Sequence, residues 1–196
     1  KDSGITIVFF DHEDGLASLD GSSYFANHTN VSKISFLLNL DGVGMGDSVT
    51  LSPKISSNAS DDYIGFFLRC LDKTSVKYFS FDLPPLMVED HIPFIDKSIA
   101  AISFNIMPEN DLVYLKEMHS KSWLEKMKAY LIYRGFNRKN HPMVVMRYRH
   151  NELDTSEYIQ EESLELAFQL TIKMVDYHTR NAVAEYRDNV KEFRGV

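Results

Sequence analysis

The 196-residue chain has one cysteine, Cys70, one tryptophan and no long hydrophobic run. A single cysteine excludes a disulfide within these residues and a zinc site built from cysteines. Because no apolar stretch approaches the roughly 20 residues that cross a bilayer, we expect no membrane span. The formal charge is -7, whereas nucleic-acid binders typically carry an excess of basic residues. We therefore expect no nucleic-acid partner.

An apolar run near the start of the chain, Ile5–Phe10, stops abruptly at Asp11, and Glu13 and Asp14 follow. Its β-branched and aromatic residues predict a buried central strand. In open α/β sheets the ligand crevice lies at the carboxyl ends of the strands, so these acids are candidates for chemistry. The alternative is a strand followed by an ordinary acidic turn.

A second apolar run, from Ser32 to Asp41, also ends on an acid and is followed by Gly42. Strands with nearly continuous apolar sequence are typical of sheets covered on both faces by helices. We therefore predict an α/β fold with a mixed, largely parallel central sheet flanked by helices. Two predicted strands that both end in acids arise by chance less often than one, and they favour a functional site at the strand ends.

The rest of the chain predicts further strands and helices in alternation. Strands are expected at 48–52, 77–82 and 99–104, a strand or strand-to-loop element at 144–150, and helices at 21–26, 61–72, 111–135 and from about 160 onward. We predict one α/β domain over residues 1–178, with a helical insertion at about 109–135. Residues 179–196 are expected to form a helical extension.

Four segments, in order along the chain, resemble the zinc exopeptidases related to bacterial leucyl aminopeptidase, a fold that glutaminyl cyclases share. The segments are IVFFDHEDGL with GSSYFA, LNLDGVG, EDHIPF followed by IAAISF, and HNELDT. The resemblance implies the phosphorylase/hydrolase-like α/β fold of those enzymes. It also implies a site that holds one or two zinc ions in a complete protein, and a peptide or peptide-like substrate.

Carried over residue by residue, the resemblance gives Glu13 the role of general base for the attacking water. Asp14 and His150 would be ligands of one zinc ion, and Asp41 a ligand of the other. Carboxylates and imidazoles are ligands that zinc accepts, and bound zinc lowers the pKa of water toward neutrality. The implied site therefore combines a Lewis acid with an adjacent base.

Two neighbouring residues, Asp90 and His91, would orient groups near the metal according to the same resemblance. His91 could instead be a ligand, and we favour the orienting role. His178, in Tyr177-His-Thr, competes with His150 for the ligand position. We favour His150 because Asp154-Thr155 follows it at the spacing of the family motif.

The chain also departs from the family pattern. The His-x-Asp element and the bridging aspartate precede the first motif in the family, whereas almost nothing precedes Ile5 here. Asp14 replaces the usual glutamate, and His12 replaces a glycine. We therefore expect missing N-terminal strands, an incomplete paired site and weakened or lost activity, in either a fragment or a degenerate member. The exposed sheet edge would be covered by a second copy of the chain, by a helix or loop, or by a partner that supplies strands.

Three functions follow. The first is aminopeptidase-type hydrolysis by the parent protein, the second a non-catalytic exopeptidase-fold binding or scaffold module, and the third glutaminyl cyclisation. Three Asn-x-Ser/Thr acceptor patterns begin at Asn27, Asn30 and Asn58 and weakly favour an extracytoplasmic location, secreted or periplasmic.

Overall fold

The computed structural model describes residues 4–10, 20–52, 58–81, 89–126, 128–129, 140–148, 152 and 155–194. The strands are β1 (Phe36–Leu40), β2 (Ser48–Ser52), β3 (Tyr78–Ser80) and β4 (Ala100–Met107). The helices are α1 (Asp20–His28), α2 (Asn58–Asp72), α3 (Ile92–Ile95), α4 (Glu109–Ser120), α5 (Val145–Tyr148) and α6 (Glu161–Arg194), with short 3-10 turns at Val31–Lys33 and Ser156–Tyr158.

The four strands form one sheet in the order β1-β4-β2-β3. β1 runs parallel to β4 and β2 parallel to β3, whereas β2 and β4 are antiparallel. Helices lie on both sides of this mixed, mostly parallel sheet. The predicted fold class is confirmed.

Alternation along β4 gives the sheet two different faces. Ile102, Phe104 and Ile106 point to one side and, with Val49 and Leu51 of β2, pack against α2 and α6. The buried members of this core are Val49, Leu51, Phe67, Leu71, Ile102, Phe104, Ile106, Ala167, Leu170 and Met174. Each fully buried large side chain contributes about 1.5–3 kcal/mol relative to exposure, so this layer is the main source of stability.

The opposite face of the sheet is apolar only at its two ends. At one end α1 and α3 bring Ala26 and Phe94 together with Ile99. At the other end α4 brings Leu112 against Met107. Between them the strands present polar residues, which are Ser48, Thr50, Ser52 and Ser103, all buried.

The long helix α6 begins at Glu161, as its period predicts, and continues to Arg194. Two glutamates in its first turn interact favourably with the helix dipole. Within the described part of the chain, no helix has the length and apolarity that a membrane crossing requires.

The prediction of a buried strand at Ile5–Phe10 is wrong for the described structure. Residues 5–10 belong to none of the four strands, and Ile5, Ile7 and Phe9 are 72%, 79% and 92% exposed. Apolar, β-branched composition gives only a tendency, because a strand also needs a hydrogen-bonded neighbour. Of this segment, Phe10 packs into the α1–α3 cluster.

Three other expectations need correction. The strand expected from Ser32 begins at Phe36, after a 3-10 turn, and β1 is half-buried rather than buried on both faces. The element expected at 144–150 as strand or strand-to-loop contains the helix α5. The helix expected from 111 to 135 ends first at Ser120, and Trp123, which lies within the expected range, is 65% exposed.

Candidate functional site

Asp41 follows the carboxyl end of β1, where the sequence places it. Its backbone N–H donates to the Phe104 carbonyl at 3.1 Å, and the Gly42 carbonyl accepts from the Ile106 N–H at 3.1 Å. The chain turns at Gly42 with φ of +72°, a conformation that glycine adopts without strain. The half-buried Asp41 is thus fixed by the sheet rather than by a loose loop.

The loop after Asp41 is held by the start of α6. The Gln160 side chain accepts from the Gly46 N–H at 2.8 Å, and its own backbone N–H donates to the Gly44 carbonyl at 2.9 Å. Ser163 donates its hydroxyl proton to the Gly46 carbonyl. These contacts bring the segment that follows the HNELDT motif against the loop that follows Asp41.

Gly46 is required at its position in this loop. Its φ is +107°, and a Cβ atom there would lie 2.0 Å from the carbonyl carbon of Met107. No side chain fits at that distance. The loop therefore crosses the end of β4 in contact with its backbone.

The Glu89–His91 segment is anchored at the end of β2. The Ser52 hydroxyl donates to Oε1 of Glu89 at 3.1 Å, and Oε2 of Glu89 lies 3.5 Å from Nδ1 of His91. Glu89 is 6% exposed and His91 is completely buried. Asp90 stands between these two anchored residues and is half-buried.

A row of polar side chains crosses the sheet between Asp41 and this segment. Asn39, two residues before Asp41, donates to the Ser103 hydroxyl at 3.0 Å. Ser103 is the register partner of both Asn39 and Ser52, so these side chains share one face of the sheet. The row continues from Ser52 to Glu89. Buried polar groups that are hydrogen-bonded in this way fix one arrangement of the site.

Glu13, Asp14 and His150 lie outside the described residues, and their predicted roles stay predictions. Each follows closely on a residue that is placed. Phe10, three residues before Glu13, packs against Phe94 of α3 with ring centroids 6.0 Å apart. Phe10 therefore lies beside the helix that follows His91.

The segment that leads to His150 is held by Asp111, a residue that the sequence did not single out. Asp111 is completely buried in the first turn of α4. Its carboxylate accepts from the Val144 N–H at 2.7 Å and from the Val145 N–H at 2.9 Å. An acid in the first turn of a predicted helix was visible in the sequence, but its partners 33 and 34 residues later were not.

His178, the alternative to His150, lies at the amino end of β1, away from Asp41. Its Nε2 contacts the Ser35 hydroxyl at 3.1 Å and its Nδ1 the Tyr63 hydroxyl at 2.7 Å. Ser35 precedes β1 and Asp41 follows it, and six extended residues span about 20 Å. Partial burial lowers the pKa of His178. It is a structural residue of the α2–α6 side.

Among the residues that the structure describes, no three His, Cys, Asp or Glu side chains lie close enough together to hold a metal ion. Asp41, Asp90 and His91 are the predicted site residues that are placed. Helix α3, which follows His91, packs beside Ile99 at the amino end of β4, whereas Asp41 lies beside Phe104 toward the carboxyl end of that strand.

The mixed sheet, covered by helices on both sides, defines an α/β protein. The chain matches peptidase family M28 over residues 1–175, and it belongs to that family. Comparison with curated proteins finds no match. Family membership supports a peptidase-like domain of the zinc-dependent kind.

Proposed function

We propose that the chain carries part of a zinc exopeptidase site, with Asp14, Asp41 and His150 as ligands and Glu13 as general base. In a complete protein this site would hydrolyse the amino-terminal bond of a peptide. The observation that carries the proposal is Asp41, which the sheet fixes at the carboxyl end of β1 in a chain of family M28.

The donor set suits the metal. Two carboxylates and an imidazole are the hard-to-borderline ligands that zinc takes in catalytic sites. Asp41 is half-buried and its backbone is held by the sheet, which fixes where its carboxylate leaves the chain. Bound zinc would supply a Lewis acid and lower the pKa of a water ligand.

The protein's own residues would do the rest. Glu13 would accept the proton of the attacking water and return it to the leaving amine, as a general base that becomes a general acid. Asp90 is held between Ser52-bound Glu89 and buried His91, so its backbone position is defined on both sides. Asp90 would orient a ligand or the substrate amine from that position.

Three donors are fewer than two zinc ions require, and within these 196 residues no His-x-Asp element stands ahead of the Ile5–Phe10 run. We therefore propose that the 196 residues alone hold a single zinc ion and hydrolyse peptides weakly or not at all. A non-catalytic binding module on the same fold would hold no zinc. Glutaminyl cyclisation, which the anchored Asp90-His91 segment also fits, would use one zinc ion and an amino-terminal glutamine substrate.

Zinc stoichiometry tests the proposal. Elemental analysis after dialysis is expected to find about one zinc ion per chain, and Asp14→Ala and His150→Ala are each expected to lose it. His178→Ala is the matched control, because it removes a histidine at the opposite end of β1 and should leave zinc unchanged.

A folded chain without zinc, or zinc that persists in both ligand variants, would overturn the proposal. If zinc is present, aminoacyl-anilide substrates separate a peptidase from a cyclase. A cyclase would instead convert peptides that begin with glutamine.

A further inference from the structure

The long helix α6 carries two apolar stripes. One of them, with Ala167, Leu170 and Met174, is buried in the core. The other consists of Leu164, Phe168 and Ile172, which are 44%, 56% and 48% exposed, and the half-buried Val175. At about 100° per residue, these four lie within an arc of about 80°. We call this the outer stripe.

The two stripes differ in the second half of the helix. Positions eighteen residues apart lie on the same side of a helix, because eighteen residues make five full turns. The positions eighteen residues after Ala167, Leu170 and Met174 are charged, and they are Glu185, Asp188 and Glu192. Positions eighteen residues after the outer stripe stay apolar, and they are Ala182, Tyr186, Val190 and Phe193. The second half of the helix thus has one apolar side, and it continues the outer stripe.

The family match ends at residue 175, whereas α6 continues to Arg194. With its apolar continuation through Ala182, Tyr186, Val190 and Phe193, which we include in the name from here on, the outer stripe runs about 44 Å along the helix. Leu164, Phe168 and Ile172, in the part of the stripe whose side chains the structure describes, are about half exposed, and a contiguous exposed apolar surface is typical of an interaction site. Its regular spacing, with steps of three and four residues, is that of helices that pair with other helices.

We propose that the outer stripe is the contact between two copies of the chain, whose α6 helices pair antiparallel about a twofold axis near Thr179. This arrangement sets Leu164 against Phe193 of the partner and Phe168 against Val190 of the partner. Each half of the stripe finds an apolar counterpart, as the self-complementarity of a twofold interface requires.

Charge selects the antiparallel orientation. Residues 161–177 hold four acids and one lysine, whereas residues 178–194 hold four basic residues and three acids. Antiparallel pairing places the acidic half of one helix beside the weakly basic half of the other, and parallel pairing would place the acidic halves together. The acidic half also opposes binding to an anionic membrane surface, which amphipathic helices otherwise favour when they are basic.

Sedimentation equilibrium of the full chain, with the variants Phe168→Glu and Gln169→Glu, tests the proposal. The two variants introduce the same charge one residue apart, on and beside the outer stripe. Phe168→Glu is expected to raise the dimer dissociation constant by on the order of 100-fold, because each dimer would bury two unpaired carboxylates. Gln169→Glu is expected to change it less than about threefold.

Ile172→Glu is a second stripe variant and should act as Phe168→Glu does. Both side chains are half exposed, so the fold is expected to persist, and far-ultraviolet circular dichroism checks this. The orientation is read from disulfide trapping in a Cys70→Ser background. A mixture of Leu164→Cys and Phe193→Cys proteins should form a mixed disulfide, since the antiparallel register brings these positions together.

A monomeric chain at about 100 μM would overturn the proposal, as would equal dimerisation of Phe168→Glu and Gln169→Glu. Disulfides between two copies of Leu164→Cys, without the mixed product, would overturn the antiparallel register. A monomer that binds phosphatidylcholine vesicles through the stripe would assign the surface to membranes instead.

Discussion

Replacing Asp111 by alanine tests how the segment before His150 is held. The carboxylate is completely buried and accepts two backbone N–H groups, at 2.7 and 2.9 Å. Hydrogen bonds to a charged group contribute about 1.5–3 kcal/mol each, and part of this offsets the cost of burying the charge. We expect Asp111→Ala to lower the free energy of unfolding by about 3–5 kcal/mol, a large fraction of a typical domain's 5–15 kcal/mol.

Urea unfolding followed by circular dichroism measures this change by linear extrapolation. The matched control is Glu109→Ala in the same turn of α4, since Glu109 is paired with Lys77 at the surface. Exposed pairs of this kind contribute less than about 1 kcal/mol. Asp111→Asn should lower the free energy of unfolding by an amount between those of the two alanine variants. Its amide oxygen can accept from one of the two backbone N–H groups, but its amide nitrogen cannot accept from the other.

A loss for Asp111→Ala that equals the loss for Glu109→Ala would refute the reasoning. It would mean that the two N–H groups find other partners without cost. On the proposed function, Asp111→Ala should also weaken zinc binding at temperatures where the variant stays folded. The reason is that His150 lies only two residues beyond α5.

Two further predictions concern backbone geometry and pH. Gly46→Ala should lower the free energy of unfolding, measured in urea, by at least about 2 kcal/mol, because its Cβ would overlap the Met107 backbone. The control Gly44→Ala should lower it by less than about 1 kcal/mol. Equal effects of the two variants would contradict the close approach of Gly46 to Met107. Burial lowers the pKa of His178, so its contribution to stability is complete above about pH 6.5 and is lost as the pH falls toward the folded-state pKa. His178→Gln should make the free energy of unfolding depend less on pH in that range. A smaller slope should remain from His141, whose pKa burial also lowers. An unchanged pH dependence would count against His178 as its source.

Patterns that are local in the chain predicted the structure well. The helix that begins near Gln160 and the strands β2 and β4 are confirmed because the spacing of apolar residues fixes them within a few turns or residues. Asp41 was predicted at a strand end from an apolar run, an acid and a glycine in succession. The structure places it there.

What sequence patterns could not supply depends on contacts between distant segments. α5 was predicted as a strand or strand-to-loop, and its helical start is fixed by Asp111 more than 30 residues earlier. The anchoring of Glu89 by Ser52 spans 37 residues. Residues 5–10 had strand composition, but no neighbouring strand in the described sheet pairs with them.

The alternation of apolar and polar residues along β4 has a consequence for Asp41. If β1 slipped by one residue along β4, Asn39 would leave Ser103 and meet the apolar core face, and Leu38 would enter the polar row. The same slip would carry Asp41 about 3.3 Å along the sheet. The cost of mixing the two faces therefore sets the position of the candidate ligand. The hydrophobic core, although it lies on the face away from the polar row, thus determines where the Asp41 carboxylate stands.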